Sequence, residues 1–169
     1  NQGKGGFIVQ SWDTAMEIHS DSSYSVCTTW FCYQNNYYLM HVWCKRLRPA
    51  DLLGFIHHHA SKYNSDLVII ENHNGSSGLI EILLNHTFLN LFWIRPTESK
   101  VLRMVTEYTA IHNGNVFIPK SEPWLPAFHT EMVKFPEYKH DDQVDSVSQF
   151  LLWARKIGLK TTGGGGRRG

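Results

Sequence analysis

LVIIE, at residues 67–71, is an unbroken aliphatic run that ends in an acid. Four consecutive aliphatic side chains leave neither face of a strand for solvent, as expected in the interior of a partly parallel sheet. We place this strand at 66–70, with Glu71 directly after it. The run therefore predicts a buried central strand with a carboxylate at its carboxyl end.

Three strands rich in aromatic and β-branched residues are predicted before this run, at 7–13, 24–33 and 36–45. Turn residues at 21–23 and 34–36 separate them, so we expect an antiparallel meander. The remaining elements are helices and two short strands. The helices are predicted at 50–63, from 75–78 through Leu84, and at 99–112, 124–135 and 142–157, and the strands at 89–94 and 116–118. This order indicates an α/β domain whose mixed central sheet, an antiparallel meander followed by parallel strands, is flanked by helices.

Length and composition favour one domain with a short tail. The chain has 169 residues, 42% of them hydrophobic, and a net charge of +1, so no global basic field indicates a nucleic-acid partner. We assign the domain to residues 1–160 and a flexible Gly/Arg tail to 161–169. No signal peptide is recognisable, and no apolar stretch approaches the roughly 20 residues that span a bilayer. We expect no membrane association and an intracellular protein, in which Cys27, Cys32 and Cys44 are reduced and buried.

Acidic residues occupy three places where an acid is unfavourable unless something binds it. Asp13 closes an apolar strand, Glu71 closes another, and Asp141, Asp142 and Asp145 open a long apolar helix. Carboxylates are seldom buried alone, because desolvating the charge costs more than a single contact returns. Oxygen ligands without cysteine or histidine spacing favour Mg²⁺ or Mn²⁺ over zinc. The pattern predicts a divalent-metal site.

Two such ions can hydrolyse a phosphodiester by stabilising the attacking and the leaving oxygen. Asp13 is the candidate bridge between them, and Glu71 would hold one ion from the neighbouring strand end. Asp142 and Asp145 are three residues apart on one helical face and could reach the other ion. Taken singly, each acid also fits a plainer interpretation, as a turn residue or as a residue that caps a helix. His140 could transfer a proton, or could simply lie in a loop.

Seven short motifs, in this order, resemble the C-terminal nuclease domain of the large terminase subunit of tailed bacteriophages. The resemblance covers about residues 7–157. The motifs are SWDTA at 11–15, VIIE at 68–71, ESKVLR at 98–103, GNVFIP at 114–119, WLPAF at 124–128, EMVKFP at 131–136 and HDDQVDS at 140–146.

This resemblance implies an RNase H-like fold and a metal-dependent endonuclease that uses two Mg²⁺ or Mn²⁺ ions. The implied substrate is concatemeric double-stranded viral DNA, cut during genome packaging in the host cell cytoplasm. By position, Asp13 and Glu71 match the first two acids of the family and the cluster 141–145 matches the helical acid, for which the spacing favours Asp142 and Asp145 over Asp141. The implied partners are the terminase ATPase domain, the portal protein and the small terminase subunit.

Two basic clusters are candidates for contact with the DNA backbone. Lys100 and Arg103 lie one turn apart on a predicted helix, and Lys45, Arg46 and Arg48 follow the third strand. Such residues add affinity without sequence preference. The alternative for both clusters is an ordinary solvated surface.

Two other functions remain open at this point. The same fold could serve a Holliday-junction resolvase or a transposase-type nuclease, which would favour branched DNA or specific ends. A module of a different class could keep the fold without catalysis and dock a partner of the packaging motor. The presence of every acidic position argues against the second alternative.

Overall fold

The computed structural model describes residues 5–16, 24–73, 75–86, 89–95 and 97–162, apart from the side chains of residues 86, 109 and 157–162. The predicted turn at 21–23 and residues 163–169 of the predicted tail lie outside the described residues. The strands are β1 (Phe7–Asp13), β2 (Ser25–Tyr33), β3 (Asn36–Lys45), β4 (Leu67–Glu71), β5 (Leu91–Ile94) and β6 (Val116–Phe117). The helices are α1 (Pro49–Tyr63), α2 (Ser77–His86), α3 (Lys100–His112), α4 (Leu125–Lys134) and α5 (Asp142–Thr162).

All described strands form one mixed sheet in the order β5-β4-β1-β2-β3-β6. β1 pairs antiparallel with β2, and β2 pairs antiparallel with β3. β4 pairs parallel with β1, and the two edge strands pair parallel with their neighbours. The predicted meander followed by parallel strands is therefore confirmed, with β1 and β4 in the interior of the sheet.

The strand β4 is buried on both faces, as its aliphatic run predicts. Ile69 packs into a core on one face of the sheet together with Val147 and Phe150 of α5. Val68 and Ile70 belong to the core on the opposite face, which α1 and α2 cover. A strand enclosed in this way is a rigid mounting for whatever side chain follows it.

The helix α5 is more deeply enclosed than a one-sided amphipathic helix. Val144, Val147, Leu151 and Ala154 form a buried apolar stripe, but Ser146, Ser148 and Gln149 on other faces are buried as well. The reason is that α5 contacts β1 and β2 on one side and α3 and α4 on the other. The helix also continues to Thr162, beyond the predicted end at Ile157, so the first two residues assigned to the tail are helical.

Polar side chains join α5 to the sheet inside this core. The Ser11 hydroxyl donates to the Ser146 carbonyl, and the Ser146 hydroxyl donates to the Ser11 carbonyl, each at 2.8 Å. Gln149 donates to the Ser11 hydroxyl at 2.9 Å and to the Trp12 carbonyl at 3.1 Å. Because unpaired polar groups are costly in a core, these bonds allow one position of α5 along β1.

The three cysteines are free thiols. Cys27 and Cys32 are buried, whereas Cys44 is only half-buried, and burial raises the pKa of the Cys32 thiol to about 12. Every helix in the described part of the chain is too short or too polar to cross a lipid bilayer.

We expect Ser146→Ala to lower the free energy of unfolding by about 1–3 kcal/mol, because it removes the hydroxyl that bonds Ser11 across the core. Ser148→Ala is the matched control. It is equally buried, but its hydroxyl donates only to the Asp145 carbonyl of the same helix, so its cost should be at most about 1 kcal/mol. Urea denaturation of both variants measures the difference, and equal losses would contradict a special role for the Ser11–Ser146 bonds.

Candidate metal centre

The carboxyl ends of the interior strands β1 and β4 lie side by side at the same end of the sheet. The two strands are parallel, and Trp12 is paired with Ile70. Asp13 and Glu71 are the residues that follow these partners, so they leave the sheet at the same level. In open α/β sheets, sites form in the crevice outside the carboxyl ends of such strands.

The start of α5 brings two more acids to this end of the sheet. Asp142 and Asp145 line a cavity of about 280 Å³ together with Asp13 and Glu71. Asp145 is buried, and the other three carboxylates are partly exposed. The structure thus brings together four of the five acids that the sequence predicts as ligands. The remaining lining residues are Thr14, Ala15, Met16, Tyr24, His73 and Lys100.

Two cations from α3 neutralise part of this charge. The Lys100 ammonium lies 2.7 Å from Asp141 Oδ1 and 2.5 Å from Asp145 Oδ2. The Arg103 guanidinium reaches Glu71 Oε2 at 3.1 Å and Asp145 Oδ1 at 3.3 Å. Asp141 is not a lining residue of the cavity; it pairs with Lys100 at its border.

Arg103 is only 4% exposed, which neither sequence-based alternative anticipates. A residue that meets a DNA backbone and a residue of a solvated surface would both be accessible. Arg103 instead points inward and holds two of the carboxylates. The expectation of an exposed Arg103 is wrong, because Glu71 at the end of β4 and Asp145 at the start of α5 bind its guanidinium inside the fold.

The pKa values of the carboxyl groups show that the cations do not balance the site. Burial, followed by the negative charges of Asp145, Glu71 and Asp142, raises the pKa of Asp13 well above its usual range. Burial also raises the pKa of Asp145 to about 6, although Lys100 and Arg103 lower it. Burial is the main cause of the raised pKa of Asp142 as well. Ionised, these groups lack sufficient positive charge nearby.

The donor set fits a hard divalent cation. All four lining acids offer carboxylate oxygens, which suit Mg²⁺ and Mn²⁺, and a divalent charge would offset the burial and the repulsion that together raise the pKa of Asp13. Among the described residues, however, no group of three or more His, Cys, Asp or Glu side chains already converges as metal ligands. The ion pairs of Lys100 and Arg103 explain this, since they turn Glu71 and Asp145 towards α3.

Glu131 of α4 fixes the start of α5 and has no counterpart among the residues predicted for the site. Its buried carboxylate accepts the backbone N–H groups of Gln143 at 2.6 Å and Val144 at 3.2 Å. The side chain of Gln143 donates to its other oxygen at 2.6 Å. These N–H groups belong to the first turn of α5, which has no intrahelical acceptors for them. A lone acid within a helix gives no sequence signal for such a role.

His73 and Tyr24 also line the cavity without having been predicted. His73 Nε2 lies 3.2 Å from the Thr14 carbonyl and so joins the two strand ends. The position of His73 two residues after Glu71 was the available signal. The backbone N–H of Tyr24 hydrogen-bonds the Asp142 carboxylate.

The other predicted residues lie around the cavity. His140 packs edge-on against the Tyr24 ring, with centroids 5.4 Å apart. Lys45 and Arg46 are exposed at the end of β3, and the Arg46 guanidinium lies 5.0 Å from the centroid of the Tyr24 ring. Arg48 pairs with Asp51 on α1. Lys45 and Arg46 are therefore accessible beside the cavity, whereas Arg103 is not.

Comparison with known families and structures gives a consistent result. A model of the terminase RNaseH-like domain matches residues 10–153. The large terminase nuclease of thermophilic phage G20c with bound magnesium is 14% identical, with a TM-score of 0.67 over 87% of this chain and 81% of that one. No match was found among proteins with curated descriptions.

Two other structures share the fold. The large terminase of a second thermophilic bacteriophage is 12% identical, with a TM-score of 0.62 over 86% of this chain and 39% of that one. This chain thus spans about two fifths of that protein's length. The fowlpox virus resolvase in complex with Holliday junction DNA is 14% identical, with a TM-score of 0.52 over 89% of this chain and 99% of that one. The predicted RNase H-like fold is confirmed.

We expect Glu131→Gln to lower the free energy of unfolding by about 1–3 kcal/mol, because an amide carries no charge for the helix N-terminus and cannot accept from Gln143 at both positions. Glu137→Gln, on an exposed residue, is the control. Urea denaturation measures both variants, and an unchanged midpoint for Glu131→Gln would show that the carboxylate does not stabilise α5.

We expect Lys100→Met to lower the melting temperature in EDTA by several degrees, since Asp145 loses its nearest cation; about 1 kcal/mol corresponds to 2–4 °C at this size. The rise in melting temperature on adding Mn²⁺ should exceed that of the wild type, because the ion no longer competes with the ammonium. Lys62→Met, on the exposed surface of α1, controls for loss of a lysine. A metal-induced rise no larger than in the wild type would rule out this competition.

Proposed function

Because this chain belongs to the terminase RNaseH-like domain family, we propose that it is a divalent-metal-dependent endonuclease that cuts double-stranded concatemeric viral DNA during genome packaging. The observation that carries the proposal is the cavity in which four carboxylates from β1, β4 and α5 meet. Burial raises the pKa values of three of them, and neighbouring negative charges add to the effect. Perturbed acids clustered in a cleft more often mark a functional site than a structural one.

Asp13, Glu71, Asp142 and Asp145 would hold the Mg²⁺ or Mn²⁺ ions. When bound, two such ions supply Lewis-acid stabilisation of the charge that develops on the attacking and leaving oxygens of the phosphodiester. Asp13 would be the acid shared between them, since Glu71 of β4 and Asp142 and Asp145 of α5 all act on it. Arg103 orients Glu71 and Asp145 from behind. Asp141 binds Lys100 and would act through that lysine.

DNA would reach the cavity past cations at its rim. Lys100 is half-buried at the rim, and Lys45 and Arg46 are exposed at the end of β3. We assign these three to the phosphate backbone, where they add affinity without reading sequence. Arg103 is left out of this set because its guanidinium is enclosed by acids. His140, which stands behind Tyr24, is the candidate for proton transfer rather than for metal binding.

The packaging context extends the proposal beyond this chain. Since the chain spans about two fifths of the second phage's large terminase, an ATPase domain, the portal protein and the small terminase subunit are proposed partners in the host cell cytoplasm. A resolvase-type activity on branched DNA is the second candidate, favoured by the shared fold with the fowlpox virus resolvase. A panel of linear, nicked and four-way substrates separates the two.

We expect the domain to nick and linearise plasmid DNA with Mn²⁺ or Mg²⁺ and to be inactive in EDTA. Asp13→Asn and Glu71→Gln should each lower the rate about a hundredfold or more, because a lost charge in the cavity removes stabilisation where the transition state needs it. Asp51→Asn is the matched control, since this acid pairs with Arg48 on α1 and does not line the cavity.

Melting curves should accompany each variant, so that loss of activity is separated from loss of fold. Cutting that survives both substitutions would overturn the assignment of the site. A folded wild type that cuts no substrate with any metal would favour a non-catalytic docking module, or a domain that needs its ATPase partner.

A further inference from the structure

A second and larger cavity, of about 870 Å³, lies beside the carboxylate cavity. The last residues of β3 form one wall, and the start of α4 with residues 138–143 forms the other. We call it the aromatic groove because six ring side chains line it. The six aromatic side chains are those of Tyr24, His41, Trp43, Trp124, Tyr138 and His140.

The groove and the carboxylate cavity are neighbours. Tyr24 and Asp142 line both of them. A DNA strand with one phosphate at the carboxylates would therefore have a neighbouring nucleotide at the mouth of the groove. This proximity favours an occupant that also reaches the carboxylate cavity.

The charges around the groove place phosphates at its mouth and not inside it. Lys45 lines the groove, and Arg46 lies over an aromatic ring at the boundary between the two cavities. Three acids also line the groove. Asp142 belongs to the shared boundary, and the Glu131 carboxylate is occupied by the first turn of α5, which leaves Glu122. Cations near the boundary and a mostly aromatic interior match a nucleotide whose phosphate stays outside while its base enters.

Aromatic walls recognise bases through their faces. Every base has a π face that stacks on an aromatic ring, and this contact tolerates any sequence. Bases within a duplex are already stacked on each other and cannot present these faces. Only an unpaired base can use such a groove.

Resting on the proposed nuclease function, we propose that the aromatic groove binds an unpaired nucleotide adjacent to the scissile phosphate. The domain then prefers DNA whose strands are separated beside the cut, such as a fork or a frayed end, over uninterrupted duplex. The substrate class of the site is thereby narrowed from duplex DNA in general to duplex DNA with an open junction.

The test measures binding in Ca²⁺ without cleavage, using a short duplex and the same duplex with an unpaired arm that carries a fluorescent base analogue. Forks of both polarities are needed. We expect the wild type to bind one fork more tightly than the duplex and to change the fluorescence of the unpaired base. Tyr138→Leu, which keeps an apolar side chain but removes the ring, should weaken fork binding about fivefold or more and leave duplex binding unchanged.

Two further variants make the result specific. Tyr138→Phe keeps the ring and should retain the preference for the fork. Tyr108→Leu removes a ring from the exposed face of α3, 58% accessible and outside the groove, and should have no effect. Melting curves exclude loss of fold as the cause of a weakened variant.

Equal binding of fork and duplex by the wild type would overturn the inference. So would a Tyr138→Leu variant that keeps the preference or weakens both substrates alike, as expected if the groove receives a protein segment instead. Plasmid cutting with Mn²⁺, measured separately, decides the proposed function. A domain that cuts plasmid without preferring forks refutes only this inference, and one that prefers forks without cutting supports this inference and counts against the nuclease proposal for the isolated domain.

Discussion

The reciprocal hydrogen bonds between Ser11 and Ser146 hold the rest of the structure in register. They join the interior of the sheet to a helix that contacts both α3 and α4. Helix packing by apolar side chains alone tolerates small sliding motions, whereas a pair of buried hydrogen bonds does not, because a shift leaves polar groups unpaired. Asp13 lies two residues beyond one partner and Asp145 directly before the other. The geometry of the carboxylate cavity therefore depends on the two hydrogen bonds between Ser11 and Ser146.

The cavity combines strong repulsion with partial compensation inside the fold. Burying carboxylates without cations would be prohibitive, and Lys100 and Arg103 reduce that cost without removing it. Arg103 binds Glu71 of β4 and Asp145 of α5, so its ion pairs also set the spacing between these two elements. The excess of negative charge that remains would favour the binding of a divalent cation. A fully neutralised site would be more stable and would bind metal less well.

Much of the fold could be predicted from the sequence because its signals are local. The aliphatic run at 67–71 predicts a two-sided central strand, and the acids at strand and helix ends predict where charge collects. Arg103 could not be placed in this way, because its burial depends on acids from two other elements. The role of Glu131 could not be predicted either, because its partners are N–H groups of α5, which only the folded chain brings to it. The Ser146 hydroxyl and the Gln149 amide of α5 look solvent-facing by helical period, but they face the sheet, where Ser11 and Trp12 of β1 accept their hydrogen bonds.

The site is built from contacts between distant parts of the chain. Ser11 and Ser146 are 135 positions apart, and the pairing of β1 with the β4 region already spans 58 positions, from Ile8 to Asp66. A ribosome synthesising this chain releases Asp13 and Glu71 well before α5 exists to meet them. Domains fold as units during synthesis, so the carboxylates stay dispersed until nearly the whole domain has emerged. A growing chain therefore cannot assemble the carboxylate cavity before α5 has emerged.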